Sequence, residues 1–301
     1  MIDVLIIGSG PAGLSAAIYA RRANLNVTVL EKLYMGLGQV AESRQVDNYL
    51  GMPGMNGYDM GEAFRRHAED FGAEFLEGEA AEIKKEGDIF CIVLKDGERL
   101  SARTVIYAAG AAHRHLGVVG EDVLAGRGVS YCAVCDGAFY RKKIVAVAGG
   151  GDTALDDALY LSEMCSKVYL IHRREEFRGA KATLLKLREK ENVTILAPAV
   201  INEVKGENKV SGIVLSDGSE IECQGLFVAV GMEPQTELLK GVVTLDKTGY
   251  VVADETGKTS VDGFFVAGDV RAKALRQVVT AAADGANAAV FAAEYLRGLA
   301  L

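Results

Sequence analysis

One pattern occurs twice in this chain of 301 residues, and it restricts the fold more than any other feature. A short apolar strand runs into a glycine turn, an alanine-rich helix and a second strand. The first copy is "DVLIIGSGPAGLSAAIYARRANLNVTVLEK". Residues 3 to 7 are the strand, Gly8, Gly10 and Gly13 have GxGxxG spacing, and "NVTVLE" ends at Glu31. The second copy is "KKIVAVAGGGDTALDDALYLSEMCSKVYLIHRREEFR". Its strand is 144 to 148, Gly149, Gly151 and Ala154 have GxGxxA spacing, residues 153 to 164 read as helix, and "KVYLI" follows. Glycines there let the backbone turn tightly and approach a pyrophosphate. The helix N-terminus behind them offers free N–H groups and a positive dipole end. The expected fold is α/β, with two Rossmann-like dinucleotide-binding domains.

The two copies end differently. Glu31 stands about 20 residues past the glycine turn, where a carboxylate accepts hydrogen bonds from ribose hydroxyls. The second copy has no acid there. His172, Arg173 and Arg174 take its place, with Arg178 a helical turn further on. A carboxylate repels a 2′-phosphate, whereas guanidinium groups bind it through charge-assisted bonds. The first copy therefore suits an unphosphorylated ribose and the second suits NADP(H). The plainer readings are a glycine turn that binds nothing and a solvated helix start laced with its own ion pairs.

Near the C-terminus, "GFFVAGD" reads as a buried strand ending in Gly268 and Asp269, and "RQVVTAAADGANAAVFAAEYL" as a long helix with small residues along one face. Such an aspartate could hydrogen-bond a polyol, and the helix start could face an electron-rich ring. The alternative is an ordinary strand–turn–helix that closes a sheet. "IFCIVLKDGERLSARTVIYAAG" and "VSGIVLSDGSEIECQGLFVAVG" share a strand, an Asp-Gly turn, a strand and a terminal glycine. This internal duplication implies two similar domains, the second inserted into the first. The first comprises 1–112 and 236–301, and the second 113–235.

A net charge of −8 gives no basic footprint for nucleic acid. No stretch approaches the ~20 apolar residues that span a bilayer, so no membrane association is expected. The apolar run at the start is too short for a signal-peptide core and lacks a preceding basic region. A soluble, cytoplasmic protein is expected. Five cysteines form no disulfide framework: Cys91, Cys165 and Cys223 are isolated, and Cys132 and Cys135 lie close together in "SYCAVCDG". In a reducing compartment such a pair is catalytic or metal-binding more often than structural. A structural zinc usually takes four ligands, and the only histidines nearby, His113 and His115, read as exposed residues at a domain hinge. No metal is expected. Asp136 beside Cys135 is either an acid–base group able to protonate a leaving thiolate or a solvated turn residue.

Taken together, "GSGPAG", "GQVAESRQVDNY", "CAVCDG", "GGGDTA", "HRREEFR" and "AGDVRAKALRQVVTAAADG" resemble the bacterial-type, low-molecular-weight thioredoxin reductases of the flavoprotein disulfide reductase superfamily. The resemblance covers essentially the whole chain, in the family's order. It implies an enzyme that reduces thioredoxin, or a thioredoxin-like dithiol protein, with NADPH through FAD. By this resemblance Gly8, Gly10, Gly13 and Glu31 hold the FAD pyrophosphate and adenosine ribose. Gln39 and Asn48 lie near the flavin. Gly268 and Asp269 bind the ribityl chain, with Arg276, Gln277 and Val278 at the isoalloxazine edge. Gly149, Gly151, Ala154, His172, Arg173, Arg174 and Arg178 hold NADPH. Cys132 and Cys135 form the redox-active disulfide, Cys135 toward the flavin and Cys132 toward the partner, with Asp136 as acid. Family members are homodimers. Three positions depart from the usual pattern. Leu37 precedes Gly38 and Gln39 where two adjacent glycines are usual, Val134 replaces a threonine, and Ala109 replaces a threonine before Gly110. Other readings are a different dithiol partner, ferredoxin as the electron donor, and a non-catalytic flavin switch.

Overall fold

The computed structural model describes residues 1–43 and 45–299. Arg44 of the "GQVAESRQVDNY" motif and the last two residues of the expected 236–301 segment lie outside the described residues. The chain packs into two compact units. One is Met1–Ala112 together with the chain from Glu233 onward, and the other is His113–Met232. The α/β architecture with one unit inserted into the other is as expected.

The first unit is built on a seven-stranded sheet, in the order Glu74–Glu77, Val27–Glu31, Ile2–Ile7, Arg99–Tyr107, Ile89–Leu94, Ala80–Glu86. The seventh strand, Phe264–Val266, also pairs with Arg99–Tyr107. That shared strand changes partners along its length. Arg99–Ala102 pair antiparallel with Phe90–Val93, while Val105–Tyr107 pair parallel with Phe264–Val266. Both faces of the sheet are covered, which is why the opening strand is continuously apolar rather than alternating. Val4 and Ile6 enter one core with the helices Pro11–Arg22 and Val278–Gly298, and Leu5 and Ile7 enter the other with Ile92 and Phe264.

The small face of the C-terminal helix lies on the first helix. A Cβ on Gly285 would stand 2.0 Å from the Ala12 carbonyl oxygen, so the crossing is possible only with glycine there. The Ser15 hydroxyl donates to the Ala282 carbonyl across the same contact at 2.7 Å. The helix begins at Val278, later than its apolar pattern suggests. Gln277 is its N-cap and forms a capping box with Thr280, leaving Arg276 and Gln277 in the approach to the helix.

The second unit holds a parallel sheet of five strands, in the order Val193–Leu196, Lys167–Ile171, Ile144–Ala148, Gly225–Val228, Val129–Ser130. Val145 and Val147 face a core with Leu155, Ala158 and Leu161 of the helix Asp152–Ser162, and Ala146 and Ala148 face the opposite one. A separate antiparallel sheet comprises Ile201–Lys205, Gly212–Leu215 and Glu220–Glu222.

The duplicated hairpins have matching turns. Asp96 Oδ1 accepts from the Glu98 amide at 3.0 Å, and Asp217 Oδ1 accepts from the Ser219 amide at 2.9 Å. The copies then diverge. Arg99–Tyr107 is one unbroken strand, but its counterpart breaks at the buried Cys223 into Glu220–Glu222 and Gly225–Val228, which lie in different sheets.

Candidate active site

Each glycine turn delivers a helix whose first N–H groups have no capping side chain. Gly10 is the N-cap of Pro11–Arg22 and Gly151 that of Asp152–Ser162, and neither carries a side-chain cap. Such a helix start suits an anion. In the first turn, Gly8 adopts φ +112°, and a Cβ on Gly13 would stand 1.9 Å from the Gly8 carbonyl oxygen. Positive φ at the first glycine and close strand–helix contact at the third are what a dinucleotide turn requires.

Glu31 ends the second strand as expected, but it is not alone. It is 2% exposed, and both carboxylate oxygens accept from Nη1 of Arg65, at 2.8 and 2.7 Å. Arg65 comes from the helix Gly57–Asp70, and its Nε donates to Glu69 at 2.9 Å. The guanidinium sits 3.9 Å from the centroid of the Phe75 ring. Burial opposes its charge, but Glu31 and Glu69 outweigh burial and raise its pKa above the ordinary value. One signal in the sequence points to Arg65: it falls on the inward stripe of its helix, with Met60, Gly61 and Ala68. The loop before Gln39 presses on this region. Leu37 is fully buried at φ +32° and packs against Gly61.

Asp269 lies in the short turn Gly268–Val270. Burial raises its carboxyl pKa, and Lys273 and Arg276 act against that shift. Its neighbourhood is a charge network that sequence reasoning missed. Asp284, on the C-terminal helix, accepts from the Gly268 amide at 3.1 Å, Arg271 Nη2 at 2.9 Å and Lys273 Nζ at 2.9 Å. Lys273 Nζ also lies 3.6 Å from Asp269 Oδ1. Among the described residues, two buried polar atoms lack a hydrogen-bond partner, and both are here: Asp269 Oδ1 and Arg276 Nε. Stranded buried polar atoms are rare, and a polyol carrying phosphate would supply the missing donor and acceptor. These atoms and the uncapped helix at Gly10 fit FAD. Arg276 stacks 4.1 Å from the centroid of the Tyr250 ring. Asn48 Nδ2 donates to Gln277 Oε1 at 2.8 Å, and Val278 packs against the cluster of Val40, Val46 and Met60 beside Gln39. Asn48, Gln277, Val278 and the Gln39 turn are thus brought together.

In the second unit the basic segment does not continue as a helix. Residues 173–180 bend, and helix resumes only at Lys181–Glu189. The bend is pinned to the glycine turn. The Gly150 carbonyl accepts from the Arg178 and Gly179 amides at 2.8 and 3.2 Å, and Asp152 Oδ1 accepts from the Ala180 amide at 2.7 Å. His172 is a wedge. A Cβ on Gly150 would stand 2.3 Å from its ring, and its Nε2 donates to the Glu176 carbonyl at 3.2 Å. Burial first, and then the nearby arginines, hold the His172 pKa below the ordinary value, so the ring is neutral at neutral pH. Arg173, Arg174 and Arg178 are exposed, and none pairs with an acid among the described residues. Three unpaired guanidinium groups tied to an uncapped helix start fit a phosphorylated dinucleotide.

Cys132 and Cys135 are joined by a disulfide in the turn of helix Ala133–Asp136. The Cys135 amide donates to Cys132 Sγ at 3.2 Å. Asp136 is half-buried, so it is not a solvated turn residue. Burial raises its carboxyl pKa, partly offset by a 2.6 Å hydrogen bond from the Ser130 hydroxyl. His113 is not the exposed hinge residue expected. It is half-buried and stacked on Tyr131, 5.2 Å between centroids, while His115 is exposed and bonds Asp122 at 3.0 Å. Cys165 and Cys223 are buried, and burial pushes their thiols up to about 11 and about 12, values that make them inert.

These geometries agree with what the chain is similar to. Residues 2–285 match the sequence profile of the pyridine nucleotide-disulphide oxidoreductases. A thioredoxin reductase of Mycolicibacterium smegmatis is 43% identical over 301 residues, 98% of this chain and 96% of that protein. Another, from Treponema pallidum (strain Nichols), is 43% identical over 98% of this chain and 97% of its own. The crystal structure of thioredoxin reductase from Streptococcus pyogenes MGAS5005 superposes with a TM-score of 0.94 at 38% identity, covering 99% of both chains. Matched along nearly its full length by sequence and by fold, the chain belongs to the pyridine nucleotide-disulphide oxidoreductase family and, within it, to the thioredoxin reductases of bacterial type.

Proposed function

We propose that this chain carries electrons from NADPH to oxidised thioredoxin through FAD and the Cys132–Cys135 pair. The observation that carries the reading is the chemistry around the pair: a disulfide within one helical turn, with a half-buried carboxyl of raised pKa next in sequence. The first unit would hold FAD. Gly8, Gly10 and Gly13 would cradle the pyrophosphate, Glu31 the adenosine ribose, and Gly268 and Asp269 the ribityl chain, with Gln39, Asn48, Arg276, Gln277 and Val278 at the ring. The second unit would hold NADPH, with Gly149, Gly151 and Ala154 at its pyrophosphate and Arg173, Arg174 and Arg178 at the 2′-phosphate. His172 would shape that turn rather than contribute charge. Bound FAD supplies two-electron transfer between a reduced nicotinamide and a disulfide.

The chain's own residues then act in order. Two electrons break the Cys132–Cys135 bond. The Cys132 thiolate attacks one sulfur of the partner disulfide, forming a mixed disulfide and releasing a partner thiolate, which Asp136 protonates. The Cys135 thiolate attacks Cys132 Sγ, re-forms the original bond and releases the second partner sulfur, which takes its proton from water, and the ionised Asp136 regains its own proton from water before the next cycle. The protein would work as a homodimer in the cytoplasm. Among the described residues no helix is long and apolar enough to cross a membrane. Anaerobic titration of the FAD-loaded protein tests the proposal. NADPH should bleach the visible flavin band, NADH should do so far less efficiently, and oxidised thioredoxin should restore it. Failure of NADPH to bleach the band would refute the assigned donor, and failure of thioredoxin to restore it would refute the assigned acceptor.

A further inference from the structure

Ser130 ends the strand Val129–Ser130 and is 5% exposed. Its hydroxyl meets three groups. The Cys132 amide donates to it at 3.1 Å, Asp136 Oδ2 accepts from it at 2.6 Å, and the Cys132 carbonyl oxygen lies at 3.3 Å. The Asp136 amide donates to that same carbonyl at 3.1 Å. A closed ring therefore links Ser130, the Cys132 peptide and Asp136, and Ser130 is the side chain that completes it. Among the described residues no other group bonds the Asp136 carboxylate, and no charged side chain contributes to its pKa shift; burial raises it and the Ser130 bond lowers it.

A hydroxyl has one hydrogen and two lone pairs. When Asp136 is ionised, that hydrogen points at Oδ2 and a lone pair takes the Cys132 amide. When Asp136 is protonated, its own O–H becomes the donor across the same gap. Oγ accepts it and turns its hydrogen to the Cys132 carbonyl. Neither state strands a donor. A group that must release a proton and regain it each cycle needs surroundings that serve both states.

We infer that Ser130 is a positioning residue for Asp136, a rotor that holds the carboxyl in place beside the cysteine pair whether or not it carries its proton. This rests on Asp136 being the proton donor. The test is single-turnover reduction of oxidised thioredoxin by NADPH-reduced, FAD-loaded protein across pH, comparing wild type, Ser130→Ala, Ser130→Thr and Asp136→Asn. Asp136 acts while protonated, so the wild-type rate falls as pH rises through its pKa. Removing the Ser130 donor lifts that pKa. In Ser130→Ala the limb should therefore move upward by on the order of one pH unit. The plateau, where Asp136 is protonated, should fall by roughly three- to tenfold, the scale of one neutral hydrogen bond. Ser130→Thr keeps the rotor and should restore both within about threefold. A slower Ser130→Ala whose limb stays in place, or a Ser130→Thr as impaired as Ser130→Ala, would overturn the inference while leaving Asp136 as the acid. An Asp136→Asn profile identical to wild type would remove the proton donor itself, and the inference with it.

Discussion

Replacing Arg65 by Met should be among the most damaging single changes available in the first unit. Glu31 is 2% exposed and the Arg65 side chain 5%, with 2.7 Å between nitrogen and oxygen. Removing one member of a buried ion pair leaves the other desolvated and unpaired, at a cost of about 3–5 kcal/mol. Lost contact with Phe75 lies inside that range. A domain of this size loses roughly 2–4 °C of Tm per kcal/mol, so the transition should fall by about 6–20 °C. The assay is thermal unfolding of flavin-stripped protein at pH 7, in which cofactor affinity plays no part. Glu31→Gln combined with Arg65→Met removes the stranded charge, and that double variant should recover more than half of the loss. Two results would show that the pair does not stabilise this unit: a single variant within about 1 kcal/mol of wild type, or a double variant at the sum of the two single losses, because adjacent members of one pair must couple.

Three other contacts carry expectations of their own. Gly285→Ala puts a Cβ 2.0 Å from the Ala12 carbonyl oxygen; it should cost about 1–3 kcal/mol or more, measured by urea unfolding, and Ala12→Gly should not rescue it because the clash is with backbone. Arg173→Ala/Arg174→Ala should raise KM for NADPH by roughly 10–100-fold through lost charge-assisted bonds, with KM for NADH nearly unchanged. Asp157 is raised from 3.8 to about 7 by burial first and by Asp156 second. The native state thus holds its proton more tightly than the unfolded state does. Stability should fall as pH rises from about 4 to about 7, by at most about 1.4 kcal/mol per unit, and Asp157→Asn should flatten that slope in urea titrations at several pH values.

What could be read in advance was whatever local backbone demands. A turn that needs positive φ at Gly8 and close approach at Gly13 writes glycine into the chain, and a disulfide inside one helical turn writes CxxC. The apolar runs announced strands covered on both faces. Five features escaped, the first four because they depend on partners distant in sequence. Arg65 finds Glu31 34 positions away. Asp284 gathers Gly268, Arg271 and Lys273 only once the C-terminal helix has packed. His172 looks like one more cation in "HRREEFR", yet the fold uses its ring as a neutral wedge on Gly150. The residues after it favour helix, but amides from Arg178 and Gly179 are drawn to the Gly150 carbonyl and the segment bends. Ser130 had no motif to mark it, since its importance lies in facing Cys132 and Asp136 together.

The most direct check on the electron route is to follow the cysteines themselves. The FAD-loaded protein is treated with NADPH under nitrogen, quenched in acid, unfolded in guanidinium so that every cysteine is accessible, alkylated at mildly alkaline pH and digested, and each cysteine peptide is weighed. Cys132 and Cys135 should be blocked before NADPH, fully alkylated after it, and blocked again once oxidised thioredoxin is added, while Cys91, Cys165 and Cys223 alkylate throughout. If the flavin bleaches but Cys132 and Cys135 stay blocked, electrons do not pass through this pair and the account is wrong.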